Sequence, residues 1–292
     1  MDGLAFTKSG EARASGVKKW QTMVVAIAAT SLTSGAMAEV SESDEASVAG
    51  ASSEQQSEKL PFATGEKLSY DISLLGIRAA EADLRVSGAA NDGFRFRADG
   101  RTVGATDSLF GLRETATCSV DETLTPSLCR FSSEKRSGVR RRELKFDSSS
   151  GNVRERTLHE GKREEKEIHF DSGLSDVQDA LSGLYLLRSK MPEAEGEVVK
   201  FRSMRKGKPI NVEATFRQVE SVSTPAGTFK AARMDLRIVE QQEAGATTAA
   251  SVWLSTDARR LPVKMTAAAP IGTLEASLKA ATGTVGRALA ER

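Results

Sequence analysis

From Ser251 to Leu278 the chain reads SVWLSTDARRLPVKMTAAAPIGTLEASL, and its apolar side chains fall at every second position. Val252 and Leu254 alternate with Ser251, Trp253 and Ser255. The polar run Thr256 to Arg260 reverses the chain into Leu261, Val263 and Met265, and Pro270 with Gly272 marks a further reversal before Leu274, Ala276 and Leu278. Successive side chains of a strand point to opposite faces, so a period of two describes half-buried strands of an antiparallel sheet. This stretch closes the ordered part of the chain, and the same pattern runs back through most of it.

Leu68, Tyr70, Ile72 and Leu74 alternate with Lys67, Ser69, Asp71 and Ser73 before Gly76 permits a bend. Phe94, Phe96 and Ala98 alternate with Arg95, Arg97 and Asp99. Similar runs cover Leu109 to Cys118, Cys129 to Lys135, Arg140 to Phe146, Val153 to Leu158, Lys166 to Phe170, Val198 to Met204, Ile210 to Val222 and Phe229 to Val239. Turn residues at Asn91-Asp92-Gly93, Ser137-Gly138, Ser148 to Asn152 and Thr224-Pro225-Ala226-Gly227 separate them. A spacing of roughly 10–15 residues is that of a meander. The expected fold is therefore mostly β: a large curved antiparallel sheet, or an open or partial β-barrel.

One segment departs from this period. In DSGLSDVQDALSGLYLLRSKMP, Val177, Ala180, Leu181, Leu184, Tyr185 and Leu187 recur at three- and four-residue intervals, Ser175 or Asp176 is the expected cap, and Pro192 is the stop. An amphipathic helix over about 175–189 is predicted to lie across the concave face or to plug one end of the sheet.

The N-terminus carries an address. Lys18 and Lys19 precede the apolar run Met23 to Leu32 and the triplet Ala36-Met37-Ala38, the charged, apolar and small-residue order of a secretory leader with cleavage after Ala38. Met1 to Gly16 are then either an extended n-region or lie upstream of a later translation start. No cysteine follows the cleavage site, so a lipid-anchored form is not expected. Residues 39–59 are rich in Ser, Ala and acids, lack aromatic residues and read as a disordered acidic linker. A single β-rich domain is expected over 60–280, with a flexible tail over 281–292. Localisation is expected to be exported, periplasmic or secreted.

Removing residues 1–38 turns the net charge of +1 into −1, which argues against bulk attraction to nucleic acid. Nothing after the leader is apolar for long enough to form a transmembrane helix. Export makes Cys118 and Cys129 a disulfide candidate, since Asp121 to Pro126 reads as a turn that sets them across a hairpin. By chain entropy such a loop contributes about 2–3 kcal/mol. Two reduced, buried thiols are the alternative.

Catalytic signatures are missing. His159 and His169 are the only histidines, His159-Glu160 is not followed by the second histidine of a zinc-protease helix, and neither G-x-S-x-G nor a phosphate-cradling loop occurs. No catalytic residue, metal ligand or cofactor is assigned. Basic residues cluster at Lys135, Arg136, Arg140, Arg141, Arg142 and Lys145 and again at Lys200, Arg202, Arg205, Lys206 and Lys208; brought together they would suit an anionic glycan or a lipid headgroup. Solvated strand faces explain the same runs. A curved sheet under a helix can also enclose an apolar space, for which Leu74, Leu75, Phe94, Phe96, Leu184, Leu187, Phe229 and Trp253 are candidate lining, although such residues more often fill a core.

Five further motifs occur as an ordered set: Leu60-Pro61-Phe62 through Gly65-Glu66-Lys67-Leu68-Ser69-Tyr70; Gly76-Ile77-Arg78-Ala79-Ala80; Asp179 to Arg188; Thr224 to Phe229; and Val252-Trp253-Leu254-Ser255-Thr256-Asp257-Ala258-Arg259-Arg260-Leu261-Pro262-Val263. In this order they resemble a bacterial exported family, the domain-of-unknown-function family numbered 3108, over roughly Leu60 to Leu278. Ala80 stands where that family usually has glycine. The resemblance implies an envelope location and a β-rich domain, and no activity. Most shared positions are turn formers or bulky core residues. Arg188, Asp257, Arg259 and Arg260 are the exceptions, candidates for headgroup contact or for a pair bracing the last hairpin. The expected function is a non-catalytic binding or carrier module for an envelope lipid, glycan or lipoprotein. A structural or assembly partner of the envelope is the alternative, and a hydrolase without recognisable motif the third.

Overall fold

The computed structural model describes residues 60–90, 92–205, 207–240, 246–269 and 272–285. The expected leader, the acidic linker and residues 286–292 of the expected tail lie outside the described residues. In chain order the elements are β1 (Lys67–Leu74), β2 (Ile77–Gly88), β3 (Phe94–Thr102), α1 (Gly104–Phe110), β4 (Arg113–Val120), β5 (Pro126–Lys135), β6 (Gly138–Asp147), β7 (Asn152–His159) and β8 (Lys162–His169). There follow α2 (Ala180–Ser189), β9 (Val198–Arg205), β10 (Lys208–Thr224), β11 (Gly227–Glu240), β12 (Ala246–Ser255), β13 (Pro262–Ala269) and β14 (Gly272–Thr282).

All fourteen strands form one antiparallel sheet in the order β8-β7-β6-β5-β4-β3-β2-β1-β14-β13-β12-β11-β10-β9. It consists of two meanders joined where β1 pairs with β14, Leu74 opposite Leu274 and Ile72 opposite Ala276. The expected alternation is realised: Leu68, Tyr70 and Ile72 are buried on one face of β1, and Leu274, Ala276 and Leu278 on the same face of β14. The sheet is open, with β8 and β9 as its edges. Those edges approach each other. A Cβ built on Gly207, in the β9–β10 turn, would stand 3.0 Å from Lys166 Cδ on β8.

Because every strand reverses its neighbour, connections alternate between two ends of the sheet. One end carries Leu75-Gly76, α1, the turn at 136–137 and the turn at 160–161. The other carries the N-terminal segment from Leu60, the β12–β13 turn and α2. This second end is the one α2 plugs. Eight consecutive residues of the helix, Leu181 to Arg188, are buried. A helix covered on all sides belongs in a core, and here it packs against β3, β4 and β9. Gly183 allows that approach, since a Cβ there would lie 3.1 Å from the Phe201 ring.

The helix differs from expectation in where it begins. Asp179, not Ser175 or Asp176, is the cap: its carboxylate accepts from the Leu181 and Ser182 amides, and the Ser182 hydroxyl takes the Asp179 amide in return. Val177 instead makes a parallel bridge to Arg202 on the edge strand β9, and Arg202 donates to the Asp176 carboxylate and to Gly173 O. Tertiary bonding thus draws the first expected helical turn out to cover a sheet edge. A second, short helix, α1, occupies the start of what read as a strand from Leu109; with seven residues and none of them buried, it leaves no period to detect.

Candidate functional site

Arg188 ends the buried face of α2 and is 1 % exposed. Its Nη1 and Nη2 donate to the two carboxylate oxygens of Glu66 at 2.7 and 2.9 Å, Nη2 also to Pro61 O and Arg259 O, and Nε to Arg260 O at 3.1 Å. The guanidinium stands over the rings of Phe62 and Tyr185. Burial opposes its charge, but the Glu66 bonds outweigh burial and hold Arg188 above its ordinary pKa. Burial also pushes the Tyr70 and Tyr185 hydroxyls up, and the Arg188 guanidinium beside Tyr185 works against that rise; Tyr70 donates to Pro262 O at 2.8 Å. Arg260 completes the knot by donating to Arg188 O and Ser189 O, capping the carbonyl end of α2.

The four polar residues singled out from the sequence therefore divide. Arg188 is sealed from solvent with its donors occupied, so it is not open to a headgroup. Arg260 serves the helix end. Asp257 and Arg259 pair with each other at 2.7 Å at the surface of the β12–β13 turn, and although burial works against ionisation, Arg259 and Ser255 hold the Asp257 carboxyl below its ordinary value. The partner the sequence reading missed is Glu66. Its signal was a charged residue between Gly65 and a strand, in a motif otherwise made of turn and core residues.

Of the candidate cavity residues, Phe96, Leu184 and Leu187 meet in the buried core, and Leu74, Phe94 and Phe229 pack partly buried against it. Phe96 stacks on Tyr185 with ring centroids 3.8 Å apart, and Phe62 meets Phe94, Phe96 and Tyr185 edge-on. Rings so arranged fill the space beneath α2. Leu75 is exposed at a hairpin tip. Trp253 is also buried, at 7 % exposure, but under side chains and not around a space: its ring lies below Arg233 and Lys264 and its Nε1 donates to Glu220, whose carboxyl that bond holds below its ordinary value.

Beside the end of α2 lies an open depression of about 320 Å³, with Met191, Pro192, Phe216, Val219 and Ala232 among its lining and Asp257 and Arg260 at its margin. The two basic runs lie on β5–β6 and β9–β10, except that Lys206 falls outside the described residues, and several members pair with acids across strands: Arg142 with Glu155 at 2.7 Å, Lys200 with Glu213 at 3.2 Å. Cys118 and Cys129, opposite one another on β4 and β5, form a disulfide. Their sulfurs and the Asp179 carboxylate lie within 4.8 Å of one another; the disulfide removes both sulfurs as metal ligands. Burial pushes the Asp179 carboxyl up despite its three hydrogen bonds. Both histidines are exposed on β7 and β8. Among the described residues no helix is long and apolar enough to cross a membrane.

Comparison with known proteins adds family and little else. No curated protein matches the chain. Among solved structures, the chain is similar to a β-barrel-like protein of the domain of unknown function DUF1849 from Brucella abortus, with 10% identity and a TM-score of 0.48 over 73% of this chain and 95% of that one. It is also similar to a DUF1089 family protein from Pseudomonas aeruginosa, with 13% identity and a TM-score of 0.34 over 64% and 89%. A family profile, described as a protein of unknown function (DUF3108), matches residues 69–279. That span runs from β1 through β14 and takes in α2 and the β12–β13 turn, and the chain belongs to this family.

Proposed function

We propose that the protein is an exported, non-catalytic binding module of the cell envelope that holds the apolar part of a lipid or lipoprotein in the depression beside α2. The lining of that depression carries the reading. Met191, Pro192, Phe216, Val219 and Ala232 give it an apolar part, and of the charged residues beside them Asp257 is engaged by Arg259 and Arg260 by the helix carbonyls, which leaves Glu193 as an acidic neighbour. The apolar part rewards burial of an alkyl segment, and with Arg260 occupied and Glu193 acidic the site offers little to a free anion. A volume of about 320 Å³ suits one short segment, at the small end of ligand sites. The leader pattern of residues 18–38 supports export, and the cross-strand pairing of the basic runs makes a glycan the weaker ligand class.

Native mass spectrometry of protein taken from its own envelope tests the reading. A co-purifying amphiphile of defined mass is expected on the wild type, and Val219→Trp, which fills the depression from its half-exposed lining, should abolish it. Adduct-free wild-type protein, or an adduct indifferent to the tryptophan, would overturn the proposal. In-cell crosslinking to one discrete partner, without bound lipid, would move the protein to the assembly reading.

A further inference from the structure

The end of the sheet opposite α2 presents three large aliphatic side chains to solvent: Leu75, Ile77 and Leu109 are 69, 72 and 73 % exposed. Local structure does not call for them. The β1–β2 hairpin turns through Leu75 and Gly76 with φ of 52° and 79°, a pair of left-handed positions where Asn-Gly is the favoured choice and a leucine at the first is strained. The neighbouring hairpin yields space to this leucine, because a Cβ on Gly272 would stand 2.4 Å from Leu75 Cδ2. Leu109 belongs to α1, none of whose residues is buried, and α1 packs over β2 and β3 at the same end. Two departures from local preference thus preserve an exposed leucine, and they coincide with an unburied helix. Departures of this kind mark function more often than folding.

Arginines ring the tips. Arg78 and Arg101 share Glu81, and Arg78 also reaches Asp71 at 2.8 Å, but the guanidinium side chains are 48 and 61% exposed against 26 and 30% for the two acids, so cations stand outermost. Arg113 follows α1, with Glu134 opposite it in register, and Arg136 lies against Gly111; both arginines are exposed and make no ion pair among the described residues. We propose that this end of the protein docks on an anionic phospholipid surface, with Leu75, Ile77 and Leu109 entering the acyl boundary and Arg113 and Arg136 meeting phosphates. The apolar groups sit on protruding tips and not in a groove, and a fluid acyl layer moulds to tips where a folded partner would need a matching recess.

Flotation of the exported protein with vesicles of phosphatidylethanolamine and phosphatidylglycerol tests this. The wild type is expected to float, and Leu75→Ser/Ile77→Ser/Leu109→Ser to lose bound fraction by about tenfold or more, as expected for removing three partly inserted side chains, with unchanged melting temperature. Arg113→Gln/Arg136→Gln should weaken binding and flatten its salt dependence. Equal flotation of the serine variant, or a wild type that stays at the bottom of the gradient whether or not it captures an envelope protein, would overturn the proposal.

Discussion

Glu66 and Arg188 are 1 % exposed each, and the penalty for separating them is the main energetic fact at the level of single residues. Removing one partner strands the other charge out of water, a loss of about 3–5 kcal/mol in comparable buried pairs, whereas replacing both by apolar groups is often nearly neutral. Glu66→Ala should therefore lower the melting temperature by on the order of ten degrees. Glu66→Leu/Arg188→Met should recover much of that loss; a double variant no more stable than the single one would show that the bonds to Pro61, Arg259 and Arg260 matter more than the charge pair.

Asp179 predicts the opposite sign. Burial raises its folded pKa, so the ionised carboxylate is less welcome in the native state than in the unfolded chain. For a raised pKa the stabilising contribution is present below the unfolded value and is lost as pH rises through the folded one. Asp179→Asn keeps a capping oxygen for the Leu181 and Ser182 amides and removes the charge. It should raise the melting temperature at neutral pH, with a smaller gain in acid. A loss at neutral pH would mean that the charge itself, attracted by Arg142, holds the helix.

Between residue and sheet, the disulfide ties β4 to β5 beneath the start of α2. Its sequence separation is 11, and by chain entropy it contributes on the order of 2–3 kcal/mol. Cys118→Ala/Cys129→Ala should melt correspondingly earlier and should bring forward the proteolysis of bonds near Asp121 to Leu124, measurable by limited digestion. The elements also show where the sequence speaks and where it is silent. Strands are legible because one face of each meets the core, so Leu68, Tyr70 and Ile72 announce β1 without help. The bounds of α2 are less so: Val177 has the right spacing for the helix, but its backbone partner is Arg202, distant in sequence, and no local rule could announce that. The buried ion pair was hidden for the same reason. Phe96 and Leu187 were legible as apolar, but whether they line a space or fill it depends on Tyr185 and Phe62 arriving from other segments.

Across the whole molecule, several surface carboxylates, Asp99, Asp176, Asp235 and Asp257, have folded pKa values lowered by nearby guanidinium groups and hydroxyls. A lowered pKa contributes stability above the unfolded value of about 3.8, lost as pH falls through the folded values. Acid unfolding should accordingly set in below about pH 4. Trp253 is the only tryptophan beyond the expected leader and reports it by fluorescence. A midpoint well above pH 5 would point instead to a group not among these four.

The first and last strands of the fold lie side by side at the centre of the sheet, and Gly283 approaches Gly65 so closely that a Cβ on it would stand 2.2 Å from the Gly65 carbonyl oxygen. Two half-sheets must consequently wait for β14 to emerge before either gains its central neighbour, so the complete sheet forms only after nearly the whole described chain is made. Entry and exit share one corner, so a permuted chain opened at Glu160-Gly161 and spliced across that corner should reach the same native state.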